Sequence, residues 1–200
     1  MRGKKILFSL VGVSFLLVSC SVFAPIKADP ANTYVLSRTP APQVKKTSRA
    51  LTLLVNYPQT SAVYNTTQMA YSTQPFKVAY FSKNQWADLP AQMLQPLMVQ
   101  TLQSTHYFRQ IISPGVLGQY NYVLNTELIE LLHVFTQNSS YIRVVLKAQV
   151  VDTANNRVIK TKTFSVDEPA VPAPYGGVVA ANAAVARLLG QVAQFTVQAV

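Results

Sequence analysis

The sequence has 200 residues, half of them hydrophobic, with 17 basic and 7 acidic side chains and a formal charge of +10. A single cysteine rules out an internal disulfide, and no basic cluster with interleaved aromatics appears in the body, which argues against a nucleic-acid partner. Arg2, Lys4 and Lys5 hold three of the positive charges, so residues 20–200 carry +7.

Those three residues form a positive start, and the 14 residues from Ile6 to Ser19 carry no charge. A membrane-spanning helix needs roughly 20 apolar residues, so the run is too short to remain a span. It has the length of a signal h-region. Its end, Leu17-Val18-Ser19-Cys20, resembles the bacterial lipobox: aliphatic, β-branched, small, cysteine. That resemblance implies cleavage before Cys20, lipidation of its thiol and acylation of its new amino group. Residues 1–19 are thus expected to be a signal peptide. The alternative is a secretory segment that ends at an ordinary buried cysteine, yet the chain's one cysteine falls where the motif needs it. Three acyl chains, at about 0.8 kcal/mol per buried CH₂, make a firm anchor. Ser21 follows in place of the aspartate that favours inner-membrane retention in enteric-type sorting. The expected site is the outer membrane, facing the periplasm, with the inner membrane as the alternative.

Residues 20–48 are read as the lipidated cysteine and a flexible tether. Pro25, Pro30, Pro40 and Pro42 lie among small polar residues without periodicity. A flexible tether of this length has an end-to-end distance of roughly 30 Å, and at most about 90 Å extended. Lys27, Arg38, Lys45, Lys46 and Arg49 against Asp29 give residues 21–49 a net +4. Either these charges lie on anionic headgroups, at up to about 1 kcal/mol each, or they belong to a solvated linker.

Residues 49–200 are expected to form one domain with one core. Leu51 to Val55 reads as a strand. Thr66–Tyr71 and Phe76–Ser82 read as a hairpin around Ser72-Thr73-Gln74-Pro75. Trp86, Leu89, Met93, Leu97 and, one step round, Leu94, Met98 and Leu102 predict an amphipathic helix near 86–104, with Asp88 as N-cap, Pro90 in the first turn and a disturbance at Pro96. Strands follow near 108–112, 120–135, 141–152 and 157–166. In the third of these, Ile142, Val144, Leu146, Ala148 and Val150 alternate with mostly polar neighbours. Lys160 and Lys162 can guard an edge. After Pro169 to Pro174 comes a helix from about 175 to 198, whose Val178, Ala181, Val185, Leu188, Val192 and Phe195 recur at heptad-like spacing. This stripe packs either on the domain's own sheet or, less in keeping with a domain of this size, on a partner or a second copy. Trp86 carries the same alternative of core packing or recognition. The fold class is α/β (α+β): a mixed or antiparallel sheet of about six or seven strands covered by two main helices.

Five segments in order resemble the ABC-type transport auxiliary lipoproteins, which accompany lipid transporters containing mammalian-cell-entry domains. They are Cys20 with Tyr34-Val35-Leu36; Asn84-Gln85-Trp86-Ala87-Asp88-Leu89-Pro90; Tyr120-Asn121-Tyr122-Val123-Leu124, with asparagine where the family has aspartate; Phe164 with Asp167-Glu168-Pro169-Ala170; and Tyr175 with its alanine-rich helix. The resemblance implies a non-catalytic subunit beside an ATPase, a permease and a cell-entry-domain protein that together move phospholipid or other hydrophobic molecules between membranes. A structural lipoprotein of the cell wall or of outer-membrane assembly is the alternative.

The residues themselves give catalysis no foothold. His106 and His133 are the two histidines and lie far apart in sequence. No nucleophile elbow, glycine-rich phosphate loop or metal-ligand spacing is present, so neither a cofactor nor a metal is expected. Glu127 and Glu130, three apart on a strand, should face opposite sides and so make a poor acid–base pair.

Overall fold

The computed structural model describes residues 30–41 and 47–200. Cys20, the signal region, Lys45 and Lys46 lie outside them. Residues 31–200 form one compact unit, a nine-stranded mixed sheet with two helices. The strands are β1 (Asn32–Tyr34), β2 (Arg49–Val55), β3 (Gln59–Thr60), β4 (Gln68–Ser72), β5 (Ala79–Trp86), β6 (Phe108–Ile112), β7 (Tyr122–Phe135), β8 (Ser140–Asp152) and β9 (Arg157–Ala170). The helices are α1 (Pro90–Gln103) and α2 (Pro174–Ala199).

β7 organises the sheet. One of its edges pairs with β8 along its whole length, and β8 pairs with β9, both antiparallel. Its other edge receives β2, β3 and β4 in turn, all parallel. β6 extends β2, while β5 and then β1 extend β4. The alternation in β8 sets the faces: Ile142, Val144, Leu146, Ala148 and Val150 are at most 3% exposed and point toward the helices. α2 packs on β8 and β9, and α1 packs on β6 and α2, so one core cluster serves the whole unit. α2 is long and apolar enough to cross a membrane, but most of it is buried inside the protein.

Several expectations shift. The body begins at Ala31, not at residue 49. β1 adds to β5, and Leu36 is buried, with its amide N–H directed at the Met93 sulfur. Asn182 of α2 fixes the following strap: its Oδ1 accepts from the amides of Ser37 and Arg38, and its Nδ2 donates to the Val35 carbonyl. Sequence periodicity misses this segment because it is held by one amide side chain and one leucine. The first helix starts at Pro90. Leu89, not Asp88, is its N-cap, and Asp88 accepts only the Leu89 amide. Trp86 therefore ends a strand instead of opening a helix. It pairs with Tyr34 and is 4% exposed, so it is a core residue. β9 runs on through Pro169 to Ala170, which its place on the sheet edge permits.

Candidate functional site

The stripe on α2 is the first candidate. Val185, Leu188 and Val192 are at most 1% exposed, facing β8 and β9 within the same chain, while Arg187 turns outward to pair with Glu168. With Trp86 also inside, the apolar candidates named from sequence are packing residues and not an open surface. Burying a leucine of this kind is worth about 1.5–3 kcal/mol.

The second candidate is the outer face of β7–β9, opposite the helices. Here the strand alternation puts polar groups in ladders. The Arg143 guanidinium meets the Asp167 carboxylate in two bonds of 2.9 and 2.8 Å and lies over the Tyr141 ring. Lys147 reaches Glu127 at 3.4 Å. Arg143 holds the Asp167 carboxyl below its ordinary range. Asn56, Tyr57 and Gln59 wall a cleft of about 470 Å³ over Asn125, Glu127, Lys147 and Gln149. This is a hydrogen-bonding surface whose lysine is paired with Glu127.

One prediction fails on this face. Glu127 pairs with Lys147 and Glu130 with Val145, both outward positions of β8, so the two glutamates share a face. The register shifts between Leu128 and Glu130, leaving Ile129 as an extra bulged residue. A bulge resets the period of two, and spacing alone does not reveal one. Burial raises the Glu130 pKa, with Asp167 adding to the rise and Arg143 opposing it. Burial, then Glu130, pushes the nearby Tyr64 phenol up to about 12. Glu127 is held by its lysine, and no histidine joins either carboxylate.

His133 is the third candidate. It is 1% exposed, stacked on Phe135 at 4.1 Å between centroids. The Ser140 hydroxyl spends its one proton on the Ala170 carbonyl at 2.9 Å, so His133 Nε2 must carry the proton that bridges to Ser140 at 3.1 Å. Nδ1 then bears a lone pair, has no hydrogen-bond partner and faces Gly177. Burial lowers this pKa. Stacked on Phe135 and bonded to Ser140, the buried ring ties β7 to β8. Among the described residues, no group of three or more His, Cys, Asp or Glu could hold a metal ion.

The family model described as the ABC-type transport auxiliary lipoprotein component matches residues 34–193. No curated protein is similar enough in sequence to count as a match. Among solved structures, the crystal structure of protein XCC0632 from Xanthomonas campestris is similar at TM-score 0.78 and 15% identity, covering 84% of this chain and 96% of that one. A second crystal structure, of an uncharacterized protein, is similar at TM-score 0.67 and 13% identity, covering 84% and 99%. At these identities the likeness shows the fold.

Proposed function

Since the chain belongs to the ABC-type transport auxiliary lipoprotein family, we propose that it is a non-catalytic accessory subunit of an envelope lipid transporter, lipidated at Cys20 and held at the outer membrane. The family match over 34–193 carries this reading. The site chemistry agrees with it: on the outer face Asp167 and Glu127 are tied into ion pairs and Glu130 is half-buried, and the buried His133 is bonded to Ser140. A rigid sheet with a hydrogen-bonding outer face suits docking more than turnover. The partners are then a cell-entry-domain protein, a permease and an ATPase.

Genetic epistasis tests the role. Deleting this chain and deleting the transporter's ATPase should give the same envelope-permeability defect, with no further loss in the double deletion. Additive defects would place the chain in a separate pathway, as a cell-wall or assembly lipoprotein would be.

A further inference from the structure

Three segments meet at one end of the sheet. Tyr71 and Ser72, at the end of β4, pair with His133 and Val134 near the end of β7. Ser140, which opens β8, pairs with Ala170, which closes β9, and Gly177 of α2 sits against His133. The β4–β5 loop, the β9–α2 link and the first turn of α2 therefore cap the same end. Each carries exposed apolar side chains: Phe76 is fully exposed on the loop, and Val171 and Tyr175 are 68% and 64% exposed. Phe76 is also held at φ 65°, uncommon for a residue with a Cβ, at the tip that presents it. Lys77 follows it directly.

β1 runs parallel to β5 and pairs with its last three residues, Asn84 to Trp86, so the chain enters β1 from the direction of the β4–β5 loop. Cys20 precedes Ala31 by eleven residues, a reach of about 40 Å at full extension. Through Asn84 and β4, Asn32 stands near the level of Leu131 in β7, so the capped end is the nearer one, about 15 Å away against about 30 Å for the end at Tyr122.

We infer that this end of the body rests on the phospholipid bilayer that holds the anchor, with Phe76 inserted among the acyl chains, Val171 and Tyr175 at the interface and Lys77 at the headgroups. Aromatic residues favour that boundary, where a ring is desolvated while a phenol stays wet. The inference rests on the proposed lipidation of Cys20. It leaves the outer sheet face and the far end free for protein partners.

Leu117, on the β6–β7 loop, is 99% exposed at the far end and serves as the control. Full-length acylated Phe76→Trp and Leu117→Trp proteins are reconstituted in vesicles of phosphatidylethanolamine and phosphatidylglycerol, with and without lipids brominated in the acyl chains. The buried Trp86 gives a constant background. The expected result is blue-shifted emission at position 76 that brominated lipid quenches, and no quenching at position 117. Equal, unquenched emission at both positions overturns the inference. So does a blue shift at 76 that lipid does not quench, which would mean that a protein surface covers the loop. The mass of the N-terminal peptide reads acylation separately. An unmodified Cys20 overturns the anchoring reading, whereas an acylated Cys20 with a water-exposed residue 76 overturns this inference alone.

Discussion

Gly177 shows how tightly single residues are specified. A Cβ built there would lie 2.5 Å from His133 Nδ1. Gly177→Ala should therefore destabilise by about 1–3 kcal/mol, the usual cost of overpacking. In a His133→Ala background the same change should cost less, because the ring that causes the clash is gone. Denaturant melts of the four proteins give the coupling; strictly additive losses would contradict the contact. His133 also sets a pH dependence. Its folded pKa lies below the ordinary 6.5, so near and below that pH the unfolded chain binds more protons than the folded one. Its contribution to stability is full above about 6.5 and declines as pH falls. His133→Gln, which can keep a bond to Ser140 but does not titrate, should flatten melting temperature against pH between 8 and 5. Parallel curves for the two proteins would show that other groups dominate.

At the scale of the element, the stripe on α2 decides between a core and a docking face. Leu188 is 1% exposed, so Leu188→Ala should cost about 2–5 kcal/mol whether or not partners are present. A Leu188→Asp protein that stayed folded would contradict the packing, since a core does not take an unpaired charge. The strap from Val35 to Arg38 depends on three hydrogen bonds to Asn182. Asn182→Ala should loosen it by about 1–2 kcal/mol, near the net worth of such bonds. Hydrogen exchange should then quicken over 31–41 while β8 stays protected; unchanged exchange in the strap would mean that Leu36 alone holds it. These elements also show what the sequence discloses. Periodicity identifies β8 and α2 because each buries one face along its length, and a face that must be dry imposes its period on the residues. β1 is three residues long, and its reason for existing is an edge that other residues build. The bulge at Ile129 changes which side chains share a face without changing composition. Trp86 reads as helical because Leu89, Met93 and Leu97 continue its spacing, although the chain turns between them at Ala87 to Leu89. The outer face of β7–β9 is legible only in part: β8 shows its polar side, but the Arg143–Asp167 and Lys147–Glu127 partners become neighbours only once three strands are in register.

At the scale of the whole molecule, a packed α+β body is proposed to be tethered by a lipidated Cys20 and to serve an ABC-type transport system. Partner capture tests that claim most directly. A photo-crosslinking residue at Lys147, on the outer sheet face, would be introduced into the full-length protein in cells, with Cys20→Ala as a comparison. The captured chains would then be identified by mass spectrometry. The acylated protein is expected to capture a subunit of an ABC transporter, the cell-entry-domain protein foremost. Cys20→Ala is expected to accumulate as uncleaved precursor and to lose that crosslink. Normal maturation of Cys20→Ala, together with crosslinks confined to cell-wall or outer-membrane assembly proteins, would contradict the claim.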